Sequence, residues 1–173
     1  PVMGGSSGDN DLSASWRQFM NDQVMQNGVV ATLIYTDLKV GYTFSSGLGY
    51  LRTDKQGTVT SAEGRRIFEI NKRPAADVYN EWLDGEIDAE IAAAIETGED
   101  QSTLIRGIVD PLTVTVKGPT DIVYYLTVHP IFVHPDKSIT SVALIEEGEE
   151  ISIMKGSEEA HRLRIPLVVR QAR

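Results

Sequence analysis

The chain predicts an α+β fold, a largely antiparallel β-sheet with flanking helices, and three observations carry that reading. Apolar residues alternate with polar or small ones over short runs, as at Val40, Tyr42 and Phe44, which is the period of a half-buried strand. Turn-forming pairs punctuate the runs at hairpin spacing, among them Asn27-Gly28, Glu63-Gly64 and Asn71-Lys72. Helical patterning is confined to blocks after Pro74 and at the C-terminus, so helices and strands are segregated instead of alternating as a parallel sheet requires.

Trp16 to Met20 and Gln23 to Met25 read as short strands about an Asn21-Asp22 turn. Asn27-Gly28 then signals a two-residue hairpin leading into Val29 to Tyr35, a β-branched and apolar run that predicts a strand. The Val40 to Phe44 alternation ends where Gly47 and Gly49 break it. Val59 opens a further β run, Glu63-Gly64 reverses it, and Ile67, Phe68 and Ile70 rebuild a strand before Asn71-Lys72 turns the chain again. Pro74 is expected to open a helix at the position where its missing N–H costs nothing, giving a helix over Ala75 to Leu83. A second helix over Ile87 to Ile95 places Ile87, Ile91 and Ile95 on one face and ends at Gly98.

After a polar patch through Gln101, strands are expected at Leu112 to Lys117, Ile122 to His129 and Ser138 to Ile145, with Gly118-Pro119 and Pro135-Asp136 as breaks. Gly148 turns the chain into Ile151 to Met154. Ser157 can receive a first-turn N–H as an N-cap, and Glu158 and Glu159 complement the dipole of a last helix. Pro166 lacks a backbone donor and predicts a kink or stop near Ile165. The strands at 29–35, 112–117 and 122–128 are expected in antiparallel sheet, with the first helix packed on one face.

Composition narrows the function. With 173 residues, 41% hydrophobic and 24% charged, the chain can bury one substantial core or two small ones. A net charge of −9 with scattered Lys and Arg argues against nucleic acid as a partner. The absence of cysteine removes disulfides, thiolate nucleophiles and Cys-ligated metal, and agrees with a cytoplasmic location. No apolar run approaches the roughly 20 residues of a membrane span, so no membrane insertion is expected. The start at Pro1, with no targeting segment, reads as an excised piece of a longer protein.

Thr58 to Tyr79, reading TVTSAEGRRIFEINKRPAADVY, together with Gly4-Gly5-Ser6-Ser7-Gly8-Asp9 and Val128-His129-Pro130, resembles the FIST domain, a ligand-sensing input module of bacterial signalling proteins that also occurs in eukaryotic F-box proteins. The resemblance implies that residues 1–73 are the remainder of the family's N-terminal half and residues 74–173 part of its C-terminal half. The Phe-Ser-Cys-type segment expected near the family's C-terminus is absent. The resemblance further implies a non-enzymatic sensor that binds amino acids or similar small anions without a cofactor. Its signal would pass to an output domain or histidine kinase. The alternative it offers is a haem-based nitric oxide sensor, with His129 as the first axial candidate and His134 and His161 behind it.

The residues themselves offer several sites. Gly4, Gly5 and Gly8 could form a backbone nest for a ligand carboxylate, with Asp9 receiving its amine; the run has no Walker lysine, which excludes a P-loop. The same Gly/Ser run also has the composition of a flexible linker. Tyr50, following Gly47-Leu48-Gly49, and Arg52 could add a close backbone approach and a carboxylate partner. Tyr42, Phe44, Tyr124 and Tyr125 could line an apolar pocket or simply fill core. His129 and His134, each followed by Pro, read as strand-end residues that pack or hydrogen-bond, and His161 as a solvent-facing helix residue. Glu146 to Glu150 lacks the alternating ligand spacing of a calcium loop and reads as a solvated turn.

Overall fold

A computed structural model describes residues 2, 4–5, 7–8, 15–42, 49–117 and 123–171. The chain divides into two compact units, residues 1–40 and 41–173.

In the first unit, β1 (Gln18–Met20) and β2 (Gln23–Met25) form an antiparallel hairpin, reversed at Asn21, whose φ is 55°. Asparagine tolerates that left-handed backbone, which is why the Asn21-Asp22 turn is legible. Asn27 also takes a positive φ of 54°, but no strand follows it. The expected strand at Val29 to Tyr35 does not form: Val29 and Tyr35 are each 90% exposed, and the run carries no ladder among the described residues. β-propensity describes fitness for a paired, half-buried surface, and without a partner strand it fixes nothing. Val40 and Tyr42 are likewise exposed and outside any strand, while Phe44 and Gly47 lie outside the described residues.

Among its described residues the second unit has nine strands. β3 (Tyr50–Glu63), β4 (Arg66–Ile70), β5 (Arg73–Pro74), β6 (Gln101–Ser102), β7 (Leu112–Lys117), β8 (Val123–Val128), β9 (Pro130–Val133), β10 (Ile139–Ser141) and β11 (Glu150–Gly156) pair in the order β6-β9-β10-β4-β3-β11-β7-β8, with β5 added to β4. Every pairing is antiparallel. Four helices accompany it: α1 (Ala75–Trp82), α2 (Asp88–Thr97), α3 (Leu104–Val109) and α4 (Glu158–Gln171). The fold is α+β.

β3 is the spine. Its first half, Tyr50 to Thr58, pairs with β11, and its second half, Val59 to Glu63, pairs with β4 through the expected Gly64 reversal. Asn71 and Lys72 have φ of 53° and 62°, the two positive values of a type I′ hairpin, and join β4 to β5. The Asn71 side chain accepts from the Thr58 N–H at 2.9 Å, tying that turn back to β3. Pro74 still pairs with Glu69 as a strand residue, so it precedes the helix as its N-cap and is not the first helical position.

Val59, Ile67, Ile70, Tyr79, Leu112 and Ile151 are buried together in the core beneath α1. Gly98, at φ 72°, ends α2 in left-handed conformation as expected. Of the predicted Ile stripe, Ile87 and Ile91 are buried and Ile95 is half exposed, because Ala94 takes the core-facing position one residue earlier. α3 was not expected. The strand expected at Ser138 to Ile145 is limited to Ile139–Ser141, since the chain leaves the ladder where the Val142 N–H turns to the His129 carbonyl. Ile122 and Gly118-Pro119 lie outside the described residues. The Ser157 hydroxyl accepts from the Ala160 N–H at 3.0 Å, the predicted cap of α4, yet the helix continues through Pro166 to Gln171 instead of stopping near Ile165.

Candidate functional site

The sequence candidates separate in space and in kind. Gly4, Gly5 and Gly8 are exposed, none takes a left-handed φ, and nothing lies within 4 Å of where a Cβ would stand. Asp9 lies outside the described residues.

Tyr50, at the start of β3, gathers both surface histidines. Its hydroxyl donates to the Ile108 carbonyl at 2.9 Å, its ring meets His161 edge-on at 4.9 Å between centroids, and His129 stands 6.5 Å away. Burial pushes the Tyr50 phenol up, an effect that Arg164 partly offsets and Asp110 reinforces. His161 is exposed, as expected, and its ring also packs edge-on against Tyr50. Close approach is enforced by glycine: a Cβ at Gly156 would stand 2.6 Å from the Val109 carbonyl and 3.1 Å from the His161 ring. The Nδ1–H of His129 donates to the Gly107 carbonyl at 2.9 Å and that of His161 to the Ser157 carbonyl at 2.8 Å, which fixes both tautomers.

Arg52 donates to the Tyr125 hydroxyl at 3.0 Å and to Gln56 at 3.3 Å, with its guanidinium 5.2 Å from the Tyr125 ring centre. His134 is buried with both ring nitrogens engaged, by Asp100 at 2.5 Å and Thr140 at 2.6 Å, so its role is to hold β9 to its neighbours. Glu146 to Glu150 forms the expected turn, in which the Glu149 carboxylate accepts from the Glu146 N–H. Among the described residues, no group of three or more His, Asp or Glu side chains is arranged to hold a metal ion.

A site that sequence reasoning missed lies one step along β3. Between the pairs Arg52↔Met154 and Gln56↔Ser152 the ladder is irregular: Thr53, Asp54 and Lys55 face the single residue Ile153. Such a bulge re-aims side chains, and here the Thr53 hydroxyl caps the interruption by donating to the Ile153 carbonyl at 2.8 Å. The bulge forms one wall of a cleft of about 170 Å³. The end of α1 with Asp84 and Glu86 forms the second wall, Arg106 and Asp110 at the end of α3 the base, and Ile153 to Lys155 of β11 the third wall.

Its walls are locally fixed. Lys55 donates to the Trp82 carbonyl at 2.7 Å and to Asp84 at 2.9 Å, holding the Asp84 carboxyl below its usual range. The left-handed pair Asp84 and Gly85 turns the chain after α1, and Asn80 clasps the turn by accepting from the Ile87 N–H at 3.0 Å. At the base, Arg106 Nη2 bridges Glu86 and Asp110 Oδ2, the latter at 2.9 Å one helical turn away. Asp110 is only 6% exposed, yet among the described residues its Oδ1 has no hydrogen-bond partner, and neither has the buried Nε of Arg106. Both atoms are shut off from solvent, so the pair closes the base of the cleft without presenting them to it.

Comparison with known proteins relates part of the chain to a family. The model of the FIST N domain matches residues 1–73. Over this stretch the chain is similar to the FIST N domain. FIST domains are sensory domains of signal transduction. The chain is also 30% identical, over 83 residues, to an uncharacterized protein of Methanocaldococcus jannaschii; the match covers 48% of this chain and 16% of that protein. No solved structure matches. The FIST match ends within the β4–β5 hairpin, so the β3 wall of the cleft is matched sequence while Arg106, Asp110 and β11 follow it. No described helix is long and apolar enough to cross a membrane.

Proposed function

We propose that this chain is a small-ligand-sensing input domain of a signal-transduction protein, acting in the cytoplasm and passing its signal to an output domain or histidine kinase. The observation that carries the reading is the cleft of about 170 Å³ at the β3 bulge, lined by the charged side chains of Lys55, Asp84, Glu86, Arg106 and Asp110. Residues 1–73 and 74–173 are, in this reading, parts of the two FIST halves, and the cleft draws on both. Binding is favoured over chemistry because each histidine is held through Nδ1 to a structural partner, and His134, whose Nε2 meets the Thr140 hydroxyl, is buried and does not line the cleft.

Amino acids and related small metabolites are the ligand class to screen first. Thermal-shift and calorimetric titration of the whole chain against a metabolite panel tests the reading: a saturable stabilisation by at least one compound is expected, and none across the panel overturns it. The same titrations on Gly5→Val and Asp9→Ala test the Gly4-Gly5-Gly8-Asp9 nest as a contributor. Unchanged affinity in both variants removes it from the site.

The haem alternative draws on one observation, the His129 Nδ1–H bond to Gly107, which leaves Nε2 as the ring's lone-pair atom. Against it, the space around Tyr50, His161 and Gly156 is already filled by their mutual packing.

A further inference from the structure

The exposed apolar run at 29–40 and the exposed apolar residues of α4 carry no indication of what would cover them. The exit of the β1–β2 hairpin is different, because its residues specify a reaction of their own, one that is independent of the ligand-sensing reading.

We infer that Asn27-Gly28 is a site of spontaneous modification, at which the asparagine loses its amide to water and becomes a mixture of isoaspartate and aspartate. The reaction is intramolecular. The Gly28 backbone nitrogen gives its proton to solvent base and attacks Cγ of Asn27; a C–N bond forms, the Cγ–Nδ2 bond breaks, and the side-chain nitrogen leaves as ammonia. The five-membered imide so formed then takes up one water. Breaking the bond from the ring nitrogen to the former main-chain carbonyl leaves isoaspartate, and breaking the bond to Cγ leaves aspartate. No oxidant or reductant is consumed.

Sequence and structure together single out this residue. Of Asn21, Asn27, Asn71 and Asn80, the asparagines of the described residues, only Asn27 precedes glycine. Glycine has no side chain to obstruct its own nitrogen, and its backbone rotates freely towards ring closure. Asn27 is exposed, so base and water reach it, and among the described residues no hydrogen bond holds its side-chain amide. The backbone is equally unconstrained, since β2 ends at Met25 and no helix or ladder follows through residue 42. The Gly28 N–H donates to the Gln18 side-chain oxygen at 3.3 Å, long for such a bond, and this is the contact that opens before the nitrogen attacks.

The other three asparagines are protected. Asn71 accepts from the Thr58 N–H in the hairpin between β4 and β5. Asn80, within α1, donates to Asp88 and accepts from the Ile87 N–H. Asn21 precedes Asp22, whose side chain crowds the attacking nitrogen and whose charge opposes loss of its proton. At Asn27, either product adds a carboxylate to a chain of net charge −9, and isoaspartate also inserts a methylene into the main chain at a left-handed residue. The surface of the first unit thus changes with age.

The test incubates the whole chain at pH 8 and 37 °C in heavy-oxygen water, folded and in guanidinium chloride, and follows each asparagine by mass-spectrometric peptide sequencing. Asn27 is expected to exchange its amide for a carboxyl carrying the heavy oxygen at least tenfold faster than Asn21, Asn71 or Asn80. Isoaspartate is expected as the larger product, and the folded rate within tenfold of the denatured one. Asn27→Gln is expected to abolish the change at this position and to leave the other asparagines as they were. Asn27 reacting no faster than the others, aspartate as the sole product, or more than tenfold protection in the folded chain would each overturn the inference.

Discussion

The hydroxyl of Tyr79 donates to the backbone carbonyl of Asp110 at 2.9 Å, joining the buried face of α1 to the end of α3 directly behind the cleft. Tyr79 is fully buried, so the bond is made without competition from water. It places the residue that closes the cleft base under the control of the core.

Removing that hydroxyl is expected to cost stability. Tyr79→Phe leaves the Asp110 carbonyl without this buried donor, a loss of about 1–2 kcal/mol by the usual penalty for an unsatisfied group. Urea denaturation of wild type and variant measures it, and an unchanged midpoint would show that the bond contributes nothing.

The same phenol predicts an alkaline limit. Burial, reinforced by the Asp110 carboxylate and partly offset by Arg106, pushes the Tyr79 pKa upward. The folded state then retains a proton that the unfolded chain releases above its ordinary value of about 10. Stability is thus fully present below that pH and falls as pH rises beyond it. Thermal melts from pH 8 to 11 should show the decline in wild type and a shallower one in Tyr79→Phe.

At the acid end, Asp136 acts with the opposite sign. Its burial alone would raise the carboxyl pKa, but hydrogen bonds from Ser138 and from Arg66 outweigh that and hold it below its usual 3.8. The stabilisation is present above the ordinary carboxylate value and is lost as pH falls through the depressed one. Melts between pH 6 and 2.5 should fall more steeply for wild type than for Asp136→Asn; parallel curves would remove Asp136 from the acid transition.

Gly107 is required by packing. A Cβ there would overlap the Pro130 carbonyl of β9, and backbone cannot swing aside as a long side chain can. Gly107→Ala is expected to cost about 3 kcal/mol, at the upper end for overpacking, and to displace the carbonyl that receives the His129 Nδ1–H. A loss below 0.5 kcal/mol in chemical denaturation would refute the assigned contact.

Purified with haem supplied in excess, the chain is expected to show no stoichiometric Soret band. A strong band that disappears in His129→Ala would replace the preferred reading with the haem alternative. The measurement is a visible spectrum.

Features that close within a few residues were legible. The left-handed turn at Asn21, the Asn71-Lys72 hairpin, the Gly98 stop and the Ser157 cap each depend on atoms close along the chain. The α+β class followed from the same local grammar. The cleft was not legible, because Arg106 sits in a short helix, Leu104 to Val109, with Asp110 just after it, and that run has no helical periodicity that separates it from a strand. An Arg and an Asp four apart at positions 106 and 110 are a common helical surface pair, and only the tertiary fold buries them at the base of a cleft.

The sequence by itself determined the turns, the caps, the antiparallel class and the likeness of Thr58 to Arg73 to the FIST N domain, since these rest on neighbouring backbone and side-chain atoms. Tertiary structure decided which apolar runs became strands and which polar groups met. Tyr50 to Thr58 became strand because β11, about a hundred residues later, supplies its ladder, as the Thr53 to Ile153 bond shows, whereas Val29 to Tyr35 has the higher β propensity and, among the described residues, no ladder. The physical reason is that a strand's hydrogen bonds, like a buried carboxylate's, are completed by residues far away in the chain, and propensity cannot say which residues those are.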